Sequence, residues 1–462
     1  MADLFSALTS ATRALEAQRF ALDVTGQNIA NVNTPGYSRR VVDFAAVPPE
    51  IPQSAGRGVE VAGIRAQRDR LVERRLYQET TGAGREAAIA DALGLVEVAL
   101  GAGGQGIDSR LTAYFNSLSR LADSPTSAVA RQDVLLQGTA LATAFRDTAA
   151  RFGELRRDAD RRVGATVDEI NQISARIAVL NGALGDAGHT GPGLHMQDEL
   201  ANLVRQLAAL TDITVVGRPD GGVDIDIADG RALVVGHTAY TVSAAATAPE
   251  GLTAVTLGGA DITARLTGGR LGGLLQVRDA YIPGYVGQID EAAFALAQAV
   301  NAVHAAGFDL DGGTGQAFFG FANPPAGTAG AAAALIVNPA VAGDIRRIAA
   351  ARAAEPGDNG AARDMAAIRD ARLLGGGTAT LVDSWGQLVY RVGRDVQTAN
   401  DESALRRQIV LQVERLRDEV SGVSLDEEAM NLMKFQRAYE ANARFFQVID
   451  QALATLINIV GR

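Results

Sequence analysis

The sequence predicts an elongated, mainly α-helical chain of nested domains carrying a small β-rich outer insert, an α+β architecture, and three observations support it. Near the C-terminus Leu432, Phe435, Tyr439, Asn442, Phe446, Ile449, Leu453, Leu456 and Val460 alternate in steps of three and four, the seam of a helix built to wind around other helices. At the other end Leu4, Leu8, Ala11, Leu15, Gln18, Leu22, Thr25, Ile29 and Val32 step in fours and threes. Between them a helical pattern from Ser127 to Leu184 gives way to short runs, ITVV, VDIDIA and ALVV, separated by PDGG and ADGR, as hairpins require.

A single amphipathic helix normally packs on its own domain. Here both termini, where order usually fades, are among the most regularly patterned segments. The tail also carries Met433, Phe445, Ile457 and Ile459 off its main seam, so several chains are expected to share in covering it.

The first helix is expected to stop near Asn33, within NIANVNTPGYSRR. Asn28, Asn31 and Asn33 compete for backbone bonds through their short amides, Pro35 drives Thr34 out of the helical region, and Gly36 supplies the positive φ of a type II turn. Next come a proline-broken loop, a strand at Val59 to Ile64 and a charged helix; helical periodicity returns at Glu86 to Leu100 and Ile107 to Leu121. The run from Ser127 would make a rod of roughly 85 Å at the helical rise. GDAGHTGPG (Gly185 to Gly193) ends it, a helical piece covers Asp198 to Leu210, and the β-rich stretch spans Thr211 to Ala264. Helix resumes beyond Gly273 to Ala306, a small-residue connector and mixed turns follow, and final helices run from Leu381 with a break at Ser421 to Ser424. The expected domains are 1–45 with 425–462 as a terminal coiled coil, 46–190 with 270–310 and 375–424 as a long-helix middle, and 191–269 with 311–374 as the β-rich outer insert.

The chain has 462 residues, 47% of them hydrophobic, and a net charge of -10: enough for about three domains with real cores. All but one of its basic residues are arginines scattered among acids, which opposes the clustered positive face nucleic acid needs. Cysteine is absent, excluding disulfides, thiolate metal sites and thiol catalysis, and fitting a protein outside the cell or one exported unfolded. The first twenty residues show Asp3, no basic n-region and no continuous apolar core, so a cleaved signal peptide is not expected. No apolar run is long enough for membrane insertion.

Candidate chemistry is thin. GAGGQG (Gly101 to Gly106) matches a dinucleotide fingerprint but follows a helical pattern rather than a strand, and reads as an interhelical loop. DLDGGTG (Asp309 to Gly315) lacks the oxygen ligand and glycine a calcium loop needs at its fifth and sixth positions and reads as a tight turn. His189 and His195 near Asp198 and Glu199 fall short of a zinc set. No catalytic residue, metal ligand or cofactor is expected, and the chain does not read as an enzyme.

NIANVNTPGYSRR after an apolar heptad helix resembles the N-terminal signature of the bacterial flagellar axial proteins, the rod, hook and hook-associated family, with Asn28, Asn31, Asn33, Thr34, Pro35, Gly36 and Tyr37 as the motif. The tail is similar to that family's C-terminal signature through Asp426, Glu427, Glu428, Asn431, Gln436, Ala438, Tyr439, Ala441 and Asn442. GRLGGLLQVRDAYIPGYVGQIDEAAFALAQAVNAVHAAGFDLDG (Gly269 to Gly312) looks like the segment that marks the hook-filament junction group within it. Where the family has a leucine- and aspartate-rich segment ending in Arg-Asp, this chain reads LHMQDELANL (Leu194 to Leu203), and its central region is short.

The resemblance implies a secreted structural subunit of the flagellum, exported without a cleaved signal peptide and acting in flagellum assembly and motility. It implies a homo-oligomer at the junction between hook and filament, contacting hook protein and a second hook-filament junction protein, with a dedicated export chaperone on the C-terminal helix. The expected assembly interface is Leu4, Leu8, Leu15, Leu22, Ile29 and Val32 with Leu432, Phe435, Tyr439, Phe446, Ile449, Leu453 and Leu456. The alternative reading of the same seams is a soluble coiled-coil adaptor or scaffold.

Overall fold

In the computed structural model, which describes residues 2–48, 57–101, 106–187, 191–247, 251–355 and 357–460, helix dominates. α1 spans Ala2–Ala30, followed by the antiparallel pair β1 (Arg40–Ala46) and β2 (Val59–Ala66) and by α2 (Arg70–Gly101), α3 (Ile107–Asp123), α4 (Ala128–Ala187) and α5 (Gly191–Leu210). β3 (Thr214–Gly217), β4 (Val223–Ile227), β5 (Arg231–Val235) and β6 (Thr238–Ala239) form one antiparallel sheet in chain order, and β7 (Val242–Thr247), β8 (Leu252–Leu257) and β9 (Ala260–Asp261) another. α6 (Gly269–Gln276) passes through a π-helical segment, Val277–Tyr281, into α7 (Ile282–Ala306). After these come β10 (Phe319–Phe321), α8 (Ala331–Ala334), β11 (Leu335–Val337), α9 (Pro339–Gly343), α10 (Gly360–Ala367), α11 (Leu381–Ser421) and α12 (Leu425–Val460). Four residues of GAGGQG, 102–105, and His189 lie outside the described residues.

Two hydrophobic cores sit along α4, whose 60 residues would span about 90 Å at the helical rise. Its first half buries Val134, Leu141, Phe145 and Phe152 against α3, α7, α8 and β11; its second half buries Val163, Val167, Ile170 and Ile177 against α5, α6 and the sheets. Gly138 lets the first core close, because a Cβ there would stand 2.8 Å from the Phe318 ring. α11 starts from a capping box in which Thr380 and Asp383 satisfy each other's backbone N–H.

The expected grouping of 311–374 with 191–269 is corrected by these cores. Phe318, Phe319, Leu335, Val341, Ile348 and Met365 pack into the first core, whereas β3–β9 pack into the second. The cause is aromatic: Phe318 and Phe319 meet edge to face at 4.9 Å and both lie within 6 Å of Tyr114 on α3. β1 was not among the expected elements; it pairs along the whole of β2 with a bulge at Asp43/Phe44.

Arg278, 3% exposed, stands where the two cores meet. It donates to Asp160 of α4 and to the Thr253 carbonyl of β8, each at 2.7 Å, and to Asp279. The π segment thus aims a charged side chain inward and satisfies it, which is the condition for burying a charge at tolerable cost.

His304 in the first core yields a pH prediction. It is fully buried; its Nδ1–H donates to the Gln316 carbonyl and its Nε2 accepts from the Ala349 N–H, so the ring is neutral. Desolvation lowers its pKa from 6.5 to about 4. Between those values the unfolded chain takes up a proton that the folded chain refuses, so stability present above 6.5 is lost as pH falls toward 4. The unfolding free energy of the first core, read from urea titrations, should drop over that window by up to about 3 kcal/mol. His304→Gln should flatten that slope, and an unchanged slope would refute the assignment.

Candidate assembly interface

α1 and α12 pack along each other, running in opposite directions, with Asn28 at the end of α1 bonded to Glu428 at the start of α12. On α1 the residues that disappear are Ala11, Ala17, Ala21, Val24, Thr25 and Asn28. The 17, 21, 24, 28 row is the expected seam moved back by one residue, a turn of about 100° around the helix. Alanines allow the helices to approach closely, and larger side chains on α12 fill the space: Phe435, Phe446, Ile449 and Leu453 face inward, Ile449 and Leu453 being buried. Leu4, Leu8, Leu15, Leu22, Ile29 and Val32 are half-buried, and all but Val32 lie along the shoulder of the pair.

α12 is likewise only partly covered. Phe435, Phe446 and Leu456 are half-buried, whereas Leu432 and Tyr439 are exposed at 37% and 38%. On the side away from α1, Met433, Phe445 and Val448 are 52%, 51% and 64% exposed. The side chains of Ile457, Ile459 and Val460 lie outside the described residues. A helix apolar over this much of its circumference is one made to be surrounded.

The motif between α1 and β1 is a polar knot rather than a mere stop. Thr34 to Tyr37 makes the type II turn, with Gly36 at φ +84 and the Tyr37 N–H donating to the Thr34 carbonyl at 3.1 Å. A Cβ on Gly36 would stand 2.3 Å from Asn202 of α5. Asn31 and Thr34 bond each other at 3.1 Å, and Asn33 and Pro35 are exposed on the outside of the turn. Asn28 fills its whole hydrogen-bonding capacity: its Nδ2 donates to Glu428 and to the Arg40 carbonyl, while its Oδ1 accepts from the Tyr37 hydroxyl and the Arg40 N–H. Burial of the Tyr37 hydroxyl raises its pKa.

Around this turn Glu428, with its side chain 2% exposed, accepts from Arg39 Nε at 2.8 Å. Arg39 also reaches Glu427, and its N–H donates to the Ser421 carbonyl at the end of α11. On the other side Asp198 of α5, 6% exposed, receives Arg68 at 2.6 Å and the Ser38 N–H at 3.3 Å. The turn therefore ties α1, α12, α11 and α5 together. Sequence reading named Asn28 and Tyr37 but missed Glu428, Asp198, Arg39 and Arg68 as partners. One signal was present: Glu428 stands one heptad before Phe435, a charge at a seam position, where burial demands a partner. Asp198 lies in LHMQDELANL, the stretch that departs from the family pattern.

Among the described residues no group of three or more metal-binding side chains gathers, and His195 is exposed. Asp309 accepts from the N–H groups of Asp311 and Gly313, making the tight turn of DLDGGTG. Burial raises the carboxyls of Glu73, Asp212 and Asp290, but none of them lines the groove between Arg85, Asp261, Arg265 and Asp279. No helix among the described residues is long and apolar enough to cross a membrane.

Comparison with known proteins agrees with this arrangement. The model of the flagellar hook-associated protein FlgK helical domain matches residues 93–319, that of the flagella basal body rod proteins residues 8–37, and that of the flagellar basal body rod FlgEFG C-terminal region residues 417–459. The chain is 27% identical over 508 residues to flagellar hook-associated protein 1 of Bacillus subtilis, covering 100% of this chain and 99% of that one. To its counterpart in Escherichia coli it is 25% identical over 544 residues, covering 98% of this chain and 100% of the other. In fold it is similar to the flagellar hook junction protein FlgK from Burkholderia pseudomallei, with a TM-score of 0.67 at 16% identity over 75% of this chain and 100% of that one. With its rod-type signatures on the paired terminal helices and the helical-domain match between them, the chain is a flagellar axial structural protein similar along its whole length to hook-associated protein 1.

Proposed function

We propose that the chain is a building block of the extracellular flagellum at the junction of hook and filament, where copies join through their α1–α12 pairs. The observation that carries this reading is the paired but incompletely covered terminal helices. Leu4, Leu8, Leu15, Leu22 and Ile29 of α1 and Leu432 and Tyr439 of α12 then meet neighbouring copies, while Phe435, Phe446, Ile449, Leu453 and Leu456 hold the pair itself. Val32, at the base of the turn, belongs with the pair. Hook protein on one side and a second junction protein on the other would be its axial neighbours. An apolar helix this exposed before assembly calls for a chaperone on α12 during export.

The test is amide hydrogen exchange on the soluble chain and on the chain bound to isolated hooks. Amides of α1 and α12 should exchange far faster than those of α4 in the soluble chain and become protected on binding. Equal protection of α1 and α12 in both states would sink the reading.

A further inference from the structure

The outer surfaces of α1 and α12 carry opposite charge patterns at matching spacing. On α1, Glu16, Arg19 and Asp23 are exposed just outside the leucine shoulder; on α12, Arg437, Glu440 and Arg444 are exposed beside Met433 and Phe445. The first row reads minus, plus, minus and the second plus, minus, plus. In each the outer two are seven residues apart, about 10.5 Å along a helix. None of the six makes an ion pair among the described residues; the arginines that do pair, such as Arg39 and Arg68, point elsewhere.

From these rows we infer that the occupant of the exposed face of α12 is the outer flank of α1 from a second copy, a heterologous contact. Because α1 and α12 run oppositely within a chain, copies standing side by side set α12 of one antiparallel to α1 of the next. Glu16 then faces Arg444, Arg19 faces Glu440 and Asp23 faces Arg437, in register to within one residue, about 1.5 Å. The half-buried leucines of α1 close over Phe445 and Val448 of the neighbour. Two different patches meeting in this way propagate around a ring or along a helix rather than stopping at a dimer. The charges select the partner and fix its register, while the apolar rows supply the burial.

This rests on the assembly reading above, and the experiment separates the two. Full chains carrying Glu16→Arg with Asp23→Arg, or Arg437→Glu with Arg444→Glu, are added to hooks isolated from cells lacking the protein, and the bound chain is quantified. All four positions are exposed, so each variant should keep the circular dichroism of the unaltered chain. Each alone places like charges across every contact and should bind about tenfold less or worse. Mixed in equal amounts they should recover, since alternating copies restore opposite charges at both kinds of contact. Normal binding by either variant alone, or a mixture that does not recover, overturns the inference while leaving the assembly reading in place; failure of the unaltered chain to bind hooks counts against that reading instead.

Discussion

Leu453→Asp with Leu456→Asp is expected to abolish incorporation at the hook while leaving the body of the molecule folded. Leu453 is 8% exposed and Leu456 half-buried against α1. An unpaired carboxylate at such a site costs several kcal/mol, more than two turns of a marginal helix pair recover, so the last part of α12 should leave α1. Among the described residues, neither core contains one from α1 or α12, so loss of the pair should not spread. Trp385, the one tryptophan, packs on the first core, and its fluorescence should give the same urea midpoint in variant and parent. Removing residues from Phe446 onward should act alike. Incorporation at the parental level, or a body that no longer unfolds cooperatively, would refute this separation of roles.

How much of this could be read in advance depended on whether the deciding interaction was periodic. Helix α4 was legible because its apolar positions recur along the whole segment with no proline to interrupt them. The β3–β9 stretch was legible because its turns carry glycines that adopt positive φ, Gly221, Gly230 and Gly258 among them. The face that α1 buries was not, because the leucine row is the stronger hydrophobic signal and the alanine row is the one that fits. Close approach is decided by small volume, which a search for large apolar side chains passes over. Residues 311–374 were misplaced for a related reason: a loop with little periodicity is held by Phe318 and Phe319, and nothing local says which core two aromatic rings will enter. The polar knot was half legible, since turn chemistry marks Pro35 and Gly36, but partners 160 to 400 positions away leave no local trace.

Glu428→Ala should have the largest effect of any single substitution in that knot, and its neighbour supplies the control. The Glu428 side chain is 2% exposed and serves both Asn28 and Arg39. Its loss leaves a buried amide N–H of Asn28 without an acceptor and removes the partner of Arg39 Nε, at a cost of about 2–4 kcal/mol. Glu427 also pairs with Arg39, but its side chain is 54% exposed, and such a pair contributes at most about 1 kcal/mol. Because Asn28 is also the acceptor for Tyr37 and for the first N–H of β1, damage at Glu428 should loosen α1 and α12 together. Hydrogen exchange would then rise across both helices in Glu428→Ala and stay near the parental rate in Glu427→Ala, with Trp385 fluorescence unmoved in either. Equal exchange in the two variants would mean that the buried carboxylate does not fix the terminal pair to the body, and that the apolar row from Phe435 to Leu453 holds it unaided.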